Sequence, residues 1–346
     1  MRVGLICPYD LDRPGGVQDQ VIRIAGWLEA LGHRTTIVGP GEAGPPGAVL
    51  VGGSIVVRAN RSAAPIAVDP RVAGRVRAAV EGCDVIHIHE PFMPVVSLAA
   101  TRIRTIPSVG TFHADAAPWA RTALRVGGPL ARVVAGRLDV LTAVSDVARS
   151  AISAIDNVRV VPNAIDVDAY GGMPKTPGSV VFVGRDDPRK GLDVLLDAWP
   201  LVIEQVPGAT LDVVGAERTD AIRGVTFHGR VDEHAKRQLL GGARVAAAPN
   251  LGGESFGIVV LEAMASGCAV VASAIPAFAA VLGDAGELVK PGDSTGLSQR
   301  IVDLLMDPTR TAGLSAAARE RSLRYDGEVI VERYLEVYAE AIALHR

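Results

Sequence analysis

Short β-branched runs alternate with helix-periodic stretches from one end of the sequence to the other, and that alternation limits the possible folds more than any other feature. The runs are VGLIC, TTIVG, DVIHIH, SVGTF, DVLTAV and VRVVP, then SVVFVG, ATLDVVG, VTFHG, ARVAAA and CAVVAS. Strands separated by helices are joined by crossovers, so they belong to parallel sheets covered on both faces. With 346 residues the chain is too long for one core and suits two domains of about 100–200 residues each. After VPNAIDVDAY comes GGMPKTPGS, rich in Gly and Pro, which places a linker at about 167–178. The expectation is an α/β protein with two doubly wound parallel-sheet domains, 1–170 and 171–325, facing a central cleft. Ligands of such sheets bind beyond the carboxyl ends of the strands. The closing stretch, 326–346, has apolar residues at helical spacing (Val329, Ile330, Tyr334, Val337, Tyr338 and Ile342) and is expected to cross back onto the first domain.

Composition removes several classes of function. A net charge of −3 with 49% apolar and 21% charged residues lacks the basic excess of a nucleic-acid binder. Cys7, Cys83 and Cys268 are odd in number and far apart, so neither a disulfide framework nor a CxxC pair is available, and a reducing, cytoplasmic location is expected. The opening MRVGLICPYD reads as a buried strand without the h-region of a signal peptide. The most apolar stretch, 258–282, is interrupted by Glu262, Gly267 and Pro276, which argues for core and against a membrane span. Arg outnumbers Lys 31 to 4, so each lysine draws notice.

Five segments carry chemistry. The first strand runs into PYDLDRPGGVQDQVIRIAGWLEALGH, where Val17, Val21, Ile24, Leu28 and Leu31 mark one helix face. Gly15-Gly16 then sit at the helix entrance, where free N–H groups favour an anion and glycine permits close approach. The spacing is not that of the GxGxxG dinucleotide fingerprint, and a plain strand-to-helix turn is the competing reading. SVVFVG ends in RDDPRKG, which puts Arg185, Arg189 and Lys190 on a loop where Arg and Lys can neutralise a pyrophosphate. The alternative there is a solvated loop in which Asp186 and Asp187 pair locally. In LGGESFGIVVLEAMASG, Gly252-Gly253 allow tight approach and the amides from Ser255 through Phe256 and Gly257 to Ile258 point at a ligand. Glu254 and Glu262, eight residues apart, are expected on one helix face, one for a donor sugar and the other for a ribose, with a capping acid plus a surface acid as the competing reading. HIHEP and GTFHAD each end a strand with histidine. His87 and His89 are read as pointing to opposite faces of their strand, which argues against a metal site. His113 is a candidate for a polar contact to a reacting sugar, with a structural histidine as the alternative.

In this order the pieces CPYDLDRPGGVQ, HIHEP, TFH, AVSDVAR, VPNAIDV, GRDDPRKG, LGGESFGIVVLEAMASG and RYDGEVIVERY resemble the retaining glycosyltransferases of family four, with the GT-B fold of two Rossmann-like domains. The similarity is greatest to the actinobacterial phosphatidylinositol mannosyltransferases, and it runs end to end. It implies a retaining hexosyltransferase that moves mannose from GDP-mannose to phosphatidylinositol or a related alcohol. Residue by residue, it implies that Gly16, next to Gly15, meets the donor pyrophosphate, together with Arg185 and Lys190. Glu254 and the amides of Ser255, Phe256, Gly257 and Ile258 would hold the hexose, and Glu262 the ribose. Val231, Glu233 and Lys236 in GRVDEHAK would hold the guanine, although the family often has Asp at the position of Glu233. His113 would bind the sugar or leaving phosphate, with Tyr9, Asp12 and Gln18 lining the acceptor pocket. No metal or other cofactor is required, because two cations and helix amides stabilise the departing diphosphate.

The acceptor end departs from the family pattern. The resembled enzymes carry an Arg shortly after an Asn-x-Ser and a Lys soon after the His of TFH. Here Asn60 and Ser62 are followed by Pro65 and Ala67, and His113 by Ala114, Asp115 and Pro118. Either acceptor recognition has moved to Arg61 or Arg121, or the acceptor differs. Asp69-Pro70 reads as a helix start, with Arg71, Arg75 and Arg77 beside Val72 and Val76. This helix either rests on the inner face of the plasma membrane through anionic lipid or presents a solvated face. A monomer is expected. The competing functions are a nucleotide-sugar epimerase of the same fold, a glycosyltransferase using a UDP-sugar and a soluble acceptor, and an inactive binding module. A nicotinamide dehydrogenase is disfavoured by the missing GxGxxG.

Overall fold

The first strand, β1 (Arg2–Ile6), is buried at every position after Arg2, as a parallel strand covered on both faces must be. It belongs to a computed structural model in which residues 1–59, 62–67, 71–113, 128–219 and 221–345 are described. Along the first part of the chain follow α1 (Gly16–Ala30), β2 (Arg34–Gly39), β3 (Val49–Leu50), β4 (Ser54–Ala59), β5 (Ser62–Ala67), α2 (Val72–Ala79) and β6 (Val85–His89). Then come α3 (Val96–Ala100), β7 (Ser108–Phe112), α4 (Gly128–Ala135), β8 (Val140–Ala143), α5 (Asp146–Ala151) and β9 (Val158–Val160). Seven of these strands form one parallel sheet in the order β3-β2-β1-β6-β7-β8-β9. The order reverses at β1, so the loops after β1 and β6 leave a crevice at the carboxyl edge. The antiparallel pair β4 and β5 stands apart from that sheet.

The second unit repeats the design. Its elements are β10 (Ser179–Val183), α6 (Leu192–Gln205), β11 (Thr210–Val214), β12 (Val225–Gly229), α7 (Glu233–Gly242), β13 (Val245–Ala248), α8 (Ile258–Ala265), β14 (Ala269–Ser273), α9 (Pro276–Leu282), β15 (Glu287–Val289), α10 (Ser294–Met306) and α11 (Pro308–Ser322). Six parallel strands run β12-β11-β10-β13-β14-β15. Here the reversal lies at β10, between the loops that follow β10 and β13. Phe182, Leu195, Trp199, Leu211 and Val271 lie in the core on one side of this sheet.

The chain then returns. Helix α12 (Gly327–Leu344) belongs to the first unit, which comprises Met1–Ala164 and Gly327–Arg346, while Ile165–Asp326 form the second. Ile330, Val331, Tyr334, Val337, Tyr338 and Ala341 of α12 are buried with Val21, Ile24 and Leu28 of α1. Gly327 permits the close approach, since a Cβ there would lie 2.0 Å from Trp27. Three residues expected on these apolar faces are not buried: Val329 and Ile342 face solvent, and Leu31 lies past the end of α1 and is exposed.

The unit boundary lies ahead of the Gly- and Pro-rich segment expected to be the linker. Buried Gln20 clamps Ala164 to the first unit, donating from Nε2 to its carbonyl at 2.8 Å and accepting its N–H at 3.0 Å. One residue later, Ile165 donates to the Tyr325 carbonyl and Val167 to Asp326 Oδ2, both in the second unit. The segment 171–178 is held there too, as Lys175 Nζ donates to the Ser266 carbonyl at 2.7 Å. Among the described residues no helix is long and apolar enough to cross a membrane.

Candidate active site

In the second unit the site grows from the loop after β10. Asp187 caps the turn Pro188–Lys190 by accepting from the Arg189 N–H, and it also binds the Arg189 guanidinium, with Nη2 at 2.7 Å. That cation holds the Asp187 carboxyl down at about 2. Asp186 is bound by Arg218, which also reaches Asp193 at 2.8 Å. Both acids of RDDPRKG are therefore spent on local arginines, and so is Arg189. Arg185 is exposed; its carbonyl accepts from the Asp187 N–H at 2.8 Å and its charge helps to lower Asp187, while its guanidinium makes no hydrogen bond among the described residues. Lys190 Nζ donates to Glu254 Oε2 at 2.7 Å.

Glycine brings this loop against the one after β13. Gly191 has φ +70, and a Cβ there would stand 2.0 Å from the Pro249 carbonyl oxygen, a contact no other residue can make. Leu251 N–H donates to the Arg189 carbonyl at 2.8 Å across the same junction. The chain then turns through Gly252, Gly253 and Gly257, all at positive φ, before α8 starts at Ile258. At Gly257 a Cβ would also meet the Phe278 ring at 2.8 Å. The N–H groups of Phe256, Gly257 and Ile258 have no acceptor among the described residues, as expected of a helix start without a side-chain cap. The Phe256 ring is buried edge-on against Tyr325, so its main chain is what it can offer a ligand.

The two acids are held alike. Glu254 accepts on Oε2 from Lys190 and from Asn250 Nδ2 at 2.9 Å, and its Oε1 has no partner among the described residues. Glu262 is buried on α8 and accepts on Oε1 from Lys236 Nζ at 2.8 Å and from the Tyr170 hydroxyl at 2.9 Å, with Oε2 unengaged. Each carboxylate thus has one oxygen fixed by two groups and one left for a ligand hydroxyl. The expectation that both share a helix face is corrected: α8 begins four residues after Glu254, which lies in the preceding loop. Around Glu262, Glu233 binds Lys236 at 2.9 Å and the Tyr170 hydroxyl at 2.9 Å, and the Arg237 guanidinium lies 5.2 Å above the Tyr170 ring. Val231 lies just ahead of α7, which Asp232 caps by accepting from the Ala235 N–H.

In the first unit, the N–H groups of Gly16, Val17 and Gln18 at the start of α1 have no acceptor among the described residues. A Cβ at Gly16 would meet nothing within 4 Å, whereas one at Gly15 would fall 2.5 Å from Gln18 Oε1. Gln18 is buried, and its amide donates to the carbonyls of Asp10 and Arg13 at 3.2 Å each, which shapes the loop ahead of α1. Asp12 is exposed, with its N–H on Asp10 Oδ1. Tyr9 is half-buried, and burial raises its hydroxyl above the ordinary range.

The histidines form a buried group. His87 and His89 share one face of β6, with ring centroids 4.1 Å apart. The expectation of opposite faces was an error of periodicity, since residues i and i+2 of a strand lie on the same side. His113, one residue past β7, has its Nε2 2.8 Å from His89 Nδ1. Its main-chain N–H donates to Glu90 Oε1 at 2.8 Å, and Glu90 takes φ +48, a conformation rare for a non-glycine residue and concentrated at functional sites. Burial lowers His87 to about 3, His113 to about 4 and His89 well below the ordinary 6.5. The three rings are therefore neutral, and among the described residues no group of three His, Cys, Asp or Glu side chains is arranged to hold a metal.

Sequence reasoning missed Tyr170, Asn250, Gln20 and Glu90. Tyr170 closes the quoted VPNAIDVDAY and Asn250 directly precedes LGGES, so their polarity next to the two acids was the available signal. Asn60, Arg61, Asp69, Pro70, Ala114, Asp115, Pro118 and Arg121 lie outside the described residues, as do the side chains of Ser62, Pro65 and Ala67. On α2, Val72 and Val76 are buried, Arg71 and Arg77 are exposed, and Arg75 donates to the Val51 carbonyl at 3.1 Å.

Comparison with known proteins agrees with this layout. Residues 14–169 match the family model Glycosyltransferase Family 4, and residues 177–307 match Glycosyl transferases group 1. The phosphatidyl-myo-inositol mannosyltransferase of Mycobacterium leprae is 38% identical over 98% of this chain and 96% of its own length. That of Propionibacterium freudenreichii is 34% identical over 99% and 95%. Among solved structures, Anabaena HepE in complex with UDP and glucose superposes with a TM-score of 0.77 at 22% identity, covering 98% of this chain and 99% of that one. Sucrose-phosphate synthase from Thermosynechococcus elongatus gives 0.72 at 20% identity, covering 99% of each chain.

Proposed function

The chain belongs to glycosyltransferase family 4, with the GT-B fold, and from that premise we propose that it transfers mannose from GDP-mannose to the inositol ring of phosphatidylinositol with retention of anomeric configuration. The observation that carries the reading is the pair of acids at the switch point of the second unit. Glu254 and Glu262 each have one oxygen fixed and one free, beside an unpaired Arg185 and the open amides of Phe256 to Ile258. In this reading Glu262 receives ribose hydroxyls, Val231, Glu233 and Lys236 hold the base, and Glu254 with the amides receives the hexose hydroxyls. Relatives 34–38% identical over nearly the whole chain are phosphatidyl-myo-inositol mannosyltransferases, which supports the sugar and the lipid.

Moving the anomeric carbon from a phosphate oxygen of GDP to an inositol hydroxyl needs charge stabilised in two places: on the departing diphosphate and on an oxocarbenium-like carbon. Arg185 and Lys190 supply the first. In the first unit taken by itself, the open Cβ position of Gly16 leaves the amides at the start of α1 accessible to an anion. Glu254 supplies the second through its hydroxyl contacts, and the leaving phosphate takes the acceptor proton on the same face, which retains configuration. With Arg185 and Lys190 on the phosphates, the proposed reaction needs no metal. His113, neutral at physiological pH, offers a hydrogen bond without adding charge. The acceptor is a membrane lipid, so the enzyme works at the inner leaflet as a monomer.

The assay is transfer from radiolabelled GDP-mannose to phosphatidylinositol vesicles, with UDP-glucose as the control donor. Arg185→Ala removes an exposed cation that the fold does not use, so the variant should keep the wild-type melting temperature and lose about 10²–10³-fold in kcat. Full turnover by Arg185→Ala, or mannose isomerised from the donor without any acceptor, would reject the assignment.

A further inference from the structure

The buried histidine pair contains an asymmetry that no role assigned so far uses. His89 Nδ1 and His113 Nε2 are 2.8 Å apart, with room for one proton between two neutral rings. The other nitrogen of His89, Nε2, is fully buried and has no hydrogen-bond partner among the described residues. His87, stacked on His89 at 4.1 Å, has both nitrogens engaged, Nδ1 with the Tyr338 hydroxyl at 2.8 Å and Nε2 with Thr111 Oγ1 at 2.6 Å. Thr111 in turn meets Thr142 Oγ1 at 2.6 Å. His87 is therefore fixed and leaves nothing to turn toward its neighbour.

We propose that His89 is a positioning residue: its Nδ1–H donates to His113 Nε2 and so fixes the proton of His113 on Nδ1. In the opposite arrangement His113 would donate, and the proton of His89 would move to Nε2, a buried N–H with no acceptor. Orphaned buried N–H groups are rarer and costlier than unmet acceptors. Because Nε2 is an unmet acceptor in the favoured arrangement, only the difference between the two costs counts, and it biases the tautomers by about fivefold, or about 1 kcal/mol. The arrangement also suits the second hydrogen-bonding neighbour of His113, the side chain of buried Asn163. With Nε2 occupied as an acceptor, Nδ1–H is the one ring hydrogen His113 can give to Asn163 or to an oxygen of the substrate. His113 thus presents a donor of fixed position, set by a residue that touches no substrate. The functional half of this inference rests on the reading that His113 contacts the sugar or its leaving phosphate; the tautomer half does not.

The test is imidazole nitrogen NMR on the full chain labelled with ring-¹⁵N histidine, with His113→Gln identifying its signals among the seven histidines. In wild-type protein His113 should show a protonated Nδ1 and a bare Nε2. His89→Leu removes the donor and should yield a tautomer mixture near equal, with kcat lowered about twofold as the competent tautomer falls to about half, and KM for GDP-mannose unchanged. In His89→Asn, whose amide N–H stands where Nδ1–H stood, both the spectrum and kcat should recover. A wild-type His113 protonated on Nε2 overturns the inference even if His89→Leu fails to fold. An unchanged His113 tautomer in His89→Leu overturns it as well. A changed tautomer with unchanged kcat overturns the positioning role. Absence of mannosyl transfer by wild-type protein would instead reject the proposed function and leave the spectrum to decide the tautomer.

Discussion

Tyr170→Phe isolates one hydroxyl that binds two carboxylates. The Tyr170 oxygen lies 2.9 Å from Glu233 Oε1 and 2.9 Å from Glu262 Oε1, and the residue is 2% exposed. One hydroxyl has one proton, so the substitution removes a single charge-assisted hydrogen bond at any moment, about 1.5–3 kcal/mol. Lys236 still donates to Glu262 at 2.8 Å and to Glu233 at 2.9 Å, so neither carboxylate loses its cation and the loss should fall near the low end. The phenylalanine ring keeps the face beneath Arg237. For a unit of this size about 2–4 °C accompanies each kcal/mol, giving a drop of about 3–8 °C in the melting transition of the second unit. A second effect concerns binding. Glu262 Oε1 would then be held by Lys236 alone, so its free Oε2 is less well placed, and GDP affinity should fall about 3- to 10-fold. Calorimetric titration with GDP and a thermal melt without it measure the two effects separately. An unchanged melting temperature with unchanged GDP affinity would refute the reasoning.

Gly191→Ala should cost about 3 kcal/mol or more, because the residue sits at φ +70 with a Cβ position 2.0 Å from the Pro249 carbonyl oxygen; a urea midpoint equal to wild type would contradict this. Acid should unfold the first unit early. His87 and His113 bind protons at about 3 and about 4 when folded and at the ordinary 6.5 when unfolded. The unfolded chain therefore takes up more protons below 6.5, and stability present above that pH declines toward pH 4 by about 1.4 kcal/mol per pH unit for each ring. A flat melting temperature between pH 7 and pH 5 would oppose it. Glu254→Gln removes the carboxylate that competes with a diphosphate for Lys190, while the new amide oxygen can still accept from Asn250. The partly exposed pair is worth about 0.2–1 kcal/mol, so GDP should bind equally well or up to about fivefold tighter while mannosyl transfer falls; weaker GDP binding would show that Glu254 supports the nucleotide.

The fold was legible because its strands are buried on both faces, so VGLIC, SVVFVG and CAVVAS announce themselves as nearly unbroken apolar runs. β3 has two residues and β15 three, too few to show a period, and both went unseen. The boundary was misplaced for a different reason. Flexible composition marks where a chain can bend, whereas the unit ends where hydrogen bonds change owner, between Ala164 on Gln20 and Ile165 on Tyr325. Gln20, a polar residue within an otherwise apolar helix face, carried that information. The cluster at the ends of β6 and β7 was obscured by a mistaken period, and the right one would have put His87 and His89 side by side from the sequence alone.

What spacing could not supply was the partner of each charge. Arg185, Arg189 and Lys190 look equivalent in RDDPRKG, yet Asp187 claims Arg189 while Asp186 turns to Arg218. That leaves Arg185 unpaired and directs Lys190 to Glu254. The same sorting sets the acids. A carboxylate in a water-filled loop would rotate among its rotamers, and a sugar hydroxyl would pay that ordering cost on binding. Fixing Oε2 of Glu254 with Lys190 and Asn250, and Oε1 of Glu262 with Lys236 and Tyr170, meets the cost during folding. One oxygen of each is then presented in a set direction, and the polar residues beside the motif become as necessary to recognition as the motif itself.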